Sequence, residues 1–333
     1  MKVKSLIFSF VVLLISACNV TLLAQNGSAG AFLRLGLGAR AKAMGDAFTA
    51  FRSGLESSYY NPAGLPFLEN KEVIVSYRLL SLDRQYTFVG FGVPLQPKSA
   101  GSKKRTLDGG FALAWIHAGV GDIDARDSNG RHVDDVGYSE NAFIFAFALK
   151  PAEQLSVGLS VKVVLNRFPD IGIDGQTISA NGVGFDFGVL YSPVDWLTLG
   201  ATIRDVNTKC RWNTEGLFGE DGTETIDHFP KILRTAVAVS PPQLPNLTFA
   251  IDFEQFYREK HFQNKLDDRL HLGVEGSFRE NIVLRGGLDD GSFTAGGGYE
   301  FDVFGNIAQL NYAFTSPGDR PEGEHIFTWV FQF

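Results

Sequence analysis

Leu155-Ser-Val-Gly-Leu-Ser-Val-Lys-Val-Val-Leu165 decides the fold class. Leu155, Val157, Leu159, Val161, Val163 and Leu165 share one face, while Ser156, Gly158, Ser160, Lys162 and Asn166 take most of the other. A period of two marks a strand with two unlike faces, because successive side chains of an extended chain point to opposite sides. The same split recurs downstream. Val183, Phe185, Phe187, Val189 and Tyr191 oppose Gly182, Gly184, Asp186 and Gly188; Leu247, Phe249, Ile251 and Phe253 oppose Thr248, Ala250, Asp252 and Glu254. Leu270, Leu272, Val274 and Phe278 oppose His271, Gly273, Glu275 and Ser277, and Phe327, Trp329, Phe331 and Phe333 oppose Thr328 and Gln332. One face is apolar and aromatic, the other small or charged.

Working outward, about fourteen such segments follow one another from residue 72 to residue 333, an even number within the range of bacterial outer-membrane barrels. Brief turns at 151–154, 192–195, 241–245, 278–281 and 302–305 alternate with longer polar connections near 121–137, 167–177, 207–230, 258–267 and 315–324. Short turns at one end and long loops at the other is the asymmetry of such barrels, with the turns periplasmic. Periodicity alone does not say which face looks outward, since a soluble sandwich buries the apolar one.

Three features favour the membrane. Lys2 and Lys4 precede an apolar run over residues 5–17, the right length for the core of a signal peptide and too short to span a bilayer. The apolar face is rich in Phe, and the chain ends on Phe333 after an alternating aromatic strand, the form read as an assembly signal. Residues 1–24 are therefore expected to be a signal peptide cut after Ala24, with lipidation of Cys18 the competing site. The expected address is the outer membrane of a Gram-negative bacterium, with membrane lipid around the barrel.

Composition excludes other classes. The 37 Gly and 29 Phe against only 20% charged residues are unlike a disordered chain or a charge-rich helical protein. The balance of 30 Lys+Arg against 37 Asp+Glu gives −7 with no basic stripe, so nucleic acid is not an expected partner. His117, His132, His228, His261, His271 and His325 are scattered, with no Gly-x-Ser-x-Gly elbow and no metal-spaced pair. No enzymatic activity, cofactor or metal is expected. The acidic stretch 122–135 offers oxygen ligands for Ca²⁺ but lacks EF-hand spacing and reads as a solvated turn.

Residues 25–71 have a different texture. Residues 39–51 are built of helix formers, with Met44 and Phe48 spaced i, i+4, and predict a short helix. In Tyr60-Asn-Pro-Ala-Gly-Leu65, Asn61 is a good N-cap and Pro62 suits the first helical position.

The run Ala29-Gly-Ala-Phe-Leu-Arg-Leu-Gly-Leu-Gly-Ala-Arg-Ala-Lys-Ala-Met-Gly-Asp-Ala-Phe48, followed by Tyr60-Asn-Pro-Ala-Gly-Leu65, resembles the N-terminal signature of the PorV/PorQ family of outer-membrane proteins, relatives of the FadL fatty-acid transporters. Later echoes are Phe185-Asp-Phe-Gly-Val-Leu-Tyr-Ser-Pro193, Leu199-Gly-Ala-Thr-Ile-Arg-Asp205, Phe229-Pro230, Leu272-Gly-Val-Glu275 and Leu284-Arg-Gly-Gly287. The resemblance implies an all-β, fourteen-stranded antiparallel barrel over 72–333, with residues 25–71 inside it as a hatch carrying the motif Asn61, Pro62, Ala63 and Gly64. It also implies one of two tasks. PorV-like members are partner-binding components of type IX protein secretion that shuttle cargo to an attachment complex. FadL-like members pass hydrophobic small molecules. The signature and the modest length favour the first.

Two sets of residues are candidates for function. Lys162, Asp186, Arg204, Arg234, Asp252, Glu254, Glu275, Arg285 and Glu300 fall on the lumen-facing side of the alternation and are expected to pair with one another and with Arg34, Arg40 and Arg52 of the hatch, because buried charges need partners. In the loop around 207–227, Trp212, Leu217 and Phe218 stand among acidic residues and are candidate anchors for a protein partner.

Overall fold

The computed structural model describes residues 29–81, 84–96, 107–126, 129–171, 176–215, 222–258, 265–318 and 322–333. The expected signal peptide, Leu217 and Phe218 lie outside the described residues. Sixteen strands follow in chain order: β1 (Glu72–Leu79), β2 (Arg84–Leu95), β3 (Asp108–Arg126), β4 (His132–Ala152), β5 (Leu155–Ile171), β6 (Gln176–Val194), β7 (Leu197–Val206) and β8 (Lys209–Asn213). Then come β9 (Glu224–His228), β10 (Lys231–Val239), β11 (Leu247–Tyr257), β12 (Lys265–Arg279), β13 (Ile282–Asp289), β14 (Ser292–Val303), β15 (Asn306–Thr315) and β16 (Glu324–Gln332).

Fourteen of them close a ring. Every neighbour pair is antiparallel, β7 pairs with β10, and β1 pairs with β16 from Glu72 opposite Gln332 to Leu79 opposite His325. Closure leaves no sheet edge, which lipid demands because it offers the backbone no hydrogen-bonding partner. The outside is the apolar face: Phe143, Phe145, Phe147, Val157, Leu159, Phe187, Trp329 and Phe331 are all exposed there, while Ser156, Ser160, Lys162, Thr202 and Asn166 are buried inside. This is an outer-membrane barrel, and the alternation read from the sequence is its lipid/lumen alternation.

Two local departures have physical causes. β3 and β4 run to Arg126 and from His132, so most of the expected loop 121–137 is paired strand. Beyond the bilayer both faces of a strand meet water, and the apolar/polar signal that reveals a strand vanishes. The same reason hides β8 and β9 inside the expected loop 207–230; this short hairpin hangs on β6 through Ala180 opposite Trp212 and Asn181 opposite Arg211.

Residues 29–71 run inside the ring. The helix expected over 39–51 is only Ala39–Ala43, because Gly45 (φ 64°) and Asp46 (φ 68°) turn left-handed straight after Met44 and break it. Phe48 therefore does not follow Met44 on one helix face; it stacks on Phe51 at 4.7 Å. The next elements are the helical turn Ser57–Tyr60 and the 3₁₀ turn Pro62–Phe67, which begins as the Asn-Pro pair predicts, with the Asn61 side chain accepting from the Ala63 N–H. The wall makes room with glycine. A Cβ at Gly158 would lie 2.5 Å from Ala63 N, and one at Gly287 2.5 Å from Gly45 N, so the segment's backbone packs directly on the backbone of the wall at both positions.

Candidate functional site

The lumen has two unlike sides. On β2 to β4, and at Val164 of β5, the inward side chains include Phe88, Ala112, Ala114, Ile116, Ala142, Ile144, Ala146, Ala148 and Val164, all buried and in one apolar cluster with Phe32, Leu33, Phe48, Tyr59, Tyr60 and Leu65 of the inner segment. β5 also turns Ser156, Ser160, Asn166 and Lys162 inward, the lysine at the border with the charged side. The wall residues here are mostly small, so the aromatic rings of the segment fill the space. Hydrogen bonds along this side are few and backbone-directed: Ser156 Oγ donates to Ala63 O (2.7 Å) and Ser160 Oγ to Ser58 O (3.3 Å).

The opposite side, β6 to β13, carries charge, and here the candidate lumen residues come together. Arg234 binds Glu254 (Nη2 to Oε1, 2.8 Å) and donates to Asp46 O (3.0 Å); His271 reaches Asp289 (3.1 Å), Glu254 (3.4 Å) and Gly45 O (3.0 Å). Lys42 Nζ lies 2.5 Å from Asp289, and Asp252 accepts from the Phe48 and Thr49 N–H groups at 3.2 and 2.9 Å. Nearer the periplasm, Arg40 grips both oxygens of Glu275 (2.9 and 2.8 Å), which also takes Arg285 Nε at 2.7 Å. A third group is within the wall: Lys162 contacts Asp186 at 2.9 Å and also binds Asp205, while Arg204 donates to Leu33 O and lies 4.0 Å over the Tyr59 ring. Each charge named here therefore meets an opposite charge or a backbone polar group, as burial requires.

Several expectations need correcting. Glu300 is exposed at the periplasmic rim and bound to Gln309 (3.0 Å) rather than held inside with the others. Among the hatch arginines, Arg40 pairs with the wall carboxylate Glu275, Arg52 donates to Asp195 O and Arg34 to Ala29 O. The partners that sequence reading missed are Lys42, Asp46, Asp205, His271 and Asp289. Lys42 and Asp46 lie in the inner segment, where no alternation marks a face; His271 carried only its charge on the small-residue side of the alternation, and Asp205 and Asp289 sit beside or at the ends of their strands, where that signal fades. Trp212 is half-buried, with its indole N–H on Asp227 (2.9 Å) and its ring 6.2 Å from Phe168, so it folds back over the barrel mouth instead of standing free. Near the tip of the β3–β4 hairpin, Asp124 binds Arg126 (2.5 Å) and His132 (2.8 Å), so the stretch expected as a solvated turn is paired strand with its carboxylate in ion pairs. Cys210 is buried, and burial pushes its thiol up to about 12, which keeps it protonated and unreactive.

Asn61 joins the two sides. Its amide donates to Thr49 O (2.8 Å) and Val189 O (3.1 Å) while its carbonyl caps the Pro62–Phe67 turn. Asn61→Ala removes the cap and strands two buried carbonyls, so we expect a loss of about 2 to 3 kcal/mol. A lower urea midpoint of the detergent-solubilised barrel checks this; an unchanged midpoint would show that water replaces the amide at no cost.

No protein-family model matches the chain, and no curated protein sequence does. Solved structures do match its shape. The Ralstonia pickettii toluene transporter TbuX superposes with a TM-score of 0.58 at 13% identity, over 90% of this chain and 98% of that one. The P. putida toluene transporter TodX gives 0.57 at 14% identity over 90% and 99%. A Pseudomonas aeruginosa FadL homologue gives 0.54 at 12% identity over 86% and 95%. At these identities the likeness is one of fold: the chain has the fourteen-stranded barrel of FadL-type outer-membrane proteins.

Proposed function

We propose that the protein passes small hydrophobic molecules across the outer membrane, with residues 29–71 acting as a hatch. The observation that carries this reading is the two-sided lumen. On the charged side the hatch is fastened by ion pairs; on the β2–β5 side it meets the wall through apolar contact and a few hydrogen bonds, from Phe32 and Ile116 near the outer mouth to Leu65 and Ala148 near the periplasm. A hydrophobic solute entering that seam replaces apolar contacts by apolar contacts, at little free-energy cost, whereas the charged side would have to desolvate its ion pairs or break them. The FadL-type fold, shared with two toluene transporters, supports the same reading.

A second reading, capture of a protein partner as in type IX secretion, rests on the N-terminal signature and on the β8–β9 hairpin, whose Lys209, Arg211 and Glu224 are exposed above the barrel mouth. One experiment separates the two: toluene accumulation by cells of a host lacking such channels, with and without the protein. We expect a several-fold faster uptake of toluene and no change for glycerol, which the apolar seam does not favour. Equal toluene uptake, combined with recovery of a secretion partner from solubilised membranes, would reject the channel in favour of the second reading.

A further inference from the structure

The Arg40–Glu275 pair separates two cavities at the periplasmic mouth, of about 230 and 270 Å³. The larger is acidic. Glu56, Glu72, Glu275, Glu280 and Glu300 line it, against the two cations Arg40 and Arg285. Both arginines are spent on the same carboxylate: Arg40 holds Glu275 with two nitrogens, and Arg285 holds it with Nε while giving Nη1 to Asn311. Glu72 is satisfied by the Leu55 N–H and by Gln332, and Glu300 by Gln309.

Glu56 differs from these. It is 98% buried (2% exposed), it lines the cavity, and its carboxylate takes a hydrogen bond from its own backbone N–H, while no group of another described residue hydrogen-bonds or pairs with it. Burial pushes its carboxyl up, while Arg40 and Arg285 pull the other way through space. A buried carboxylate held only by a backbone N–H costs far more than one with a cation beside it. Its position is nevertheless built. Gly38 (φ 71°) and Gly54 (φ 83°) flank it, and a Cβ on either would lie 2.8 Å from Glu56 Cγ or 2.7 Å from Oε2, so the two glycines leave the side chain its place.

We propose that this vestibule binds a small organic cation, an amine or guanidine on a short alkyl chain, with its charged head on Glu56 and its far end toward Glu300 and Glu280 at the rim. The chemistry of the walls selects this class over a metal ion. Ca²⁺ takes six to eight oxygens at about 2.3–2.6 Å. Among the described residues the carboxylate clusters tight enough to share an ion are Asp46 with His271 and Asp289, and Asp124 with His132 and Asp135; neither includes a vestibule residue. The volume approaches that of small-molecule sites, and Val283 and Val330 give an alkyl body apolar surface between the charged ends. This site does not depend on what the seam on the other side of the hatch carries.

Calorimetric titration of the detergent-purified full-length barrel with agmatine tests the assignment. Saturable binding is expected, weakened about tenfold or more by Glu56→Gln, which removes the charge but keeps the shape. Asp124→Asn, an equal loss of charge on the extracellular hairpin, should leave the affinity unchanged. Absence of saturable binding, or wild-type affinity in Glu56→Gln, overturns the proposal. So does Mg²⁺ binding in a Glu56-dependent manner where agmatine does not bind. Should Glu56→Gln fail to assemble, judged by gel mobility before and after boiling, Glu300→Gln at the exposed rim serves instead: a several-fold loss supports the site and an unchanged affinity overturns it.

Discussion

Deleting residues 26–70 should yield a barrel that still assembles and that conducts ions across a planar bilayer, at least about tenfold more than the full-length protein, as a fourteen-stranded ring with an empty lumen holds a water-filled bore. Assembly survives because most lumen charges have partners in the wall itself. Arg234 keeps Glu254, His271 keeps Asp289 and Glu254, Lys162 keeps Asp186 and Asp205, Arg285 keeps Glu275, and Arg78 keeps Glu324. What is lost includes Lys42–Asp289, Arg40–Glu275, the backbone bonds to Asp252 and the bonds of Arg234, His271 and Arg204 to carbonyls of the segment, and water entering the lumen solvates what they leave. The outer face, which holds the barrel in lipid, is untouched. Single-channel recording of the two forms is the check. Equal conductance would mean that the segment does not block the bore in the membrane, and loss of assembly would mean that its apolar cluster with β2–β5 is required to close the ring.

The wall was legible in the sequence because lipid on one side and the lumen on the other write opposite chemistry onto alternate residues. Each of the fourteen barrel strands overlaps a segment marked by that alternation. Legibility ended where the two environments become alike. Above the bilayer, the outer parts of β3 and β4 and the β8–β9 hairpin face water on both sides and read as loop. Inside the barrel the difficulty is different. Lys42 binds Asp289, 247 positions away, and Asn61 reaches Val189, 128 positions away. Such pairs depend on strand register and on the left-handed turn at Gly45 and Asp46, which no periodicity reports. The alternation marks Arg234 and Asp252 as facing the lumen; it does not say that Arg234 takes Glu254 while Asp252 takes backbone N–H groups. The lumen's apolar side lay further still from the sequence, since it only emerges when β2 to β5 stand together, and a barrel of this fold does not by itself say whether it serves secretion or transport.

Lys162→Met should be the most damaging single substitution in the wall. The ammonium is fully buried between Asp186 on β6 and Asp205 at the end of β7, both themselves nearly inaccessible. Asp186 also holds the far end of β7 on β6, at the irregularity in their pairing, by accepting from the Asp205 N–H at 2.8 Å, where Asp205 takes a left-handed φ of 58°. Removing the lysine leaves two carboxylates facing each other without the cation between them, Arg204 acting on them only through space, and breaking a buried pair in this way costs about 3–5 kcal/mol. Protonation of one aspartate relieves part of that, so the variant should lose stability most steeply as the pH is raised. The triple variant Lys162→Met, Asp186→Asn, Asp205→Asn removes all three charges, retains a side-chain carbonyl at 186 for the Asp205 amide, and keeps at 205 a residue type that tolerates positive φ. It should therefore recover most of the loss, because replacing a whole buried charge cluster is far less costly than orphaning part of it. Urea unfolding in detergent at two pH values decides between these outcomes. If the single and triple variants are equally destabilised, what matters at this position is the shape of the lysine stem and its packing, and the charge pairing contributes little to holding β5, β6 and β7 together.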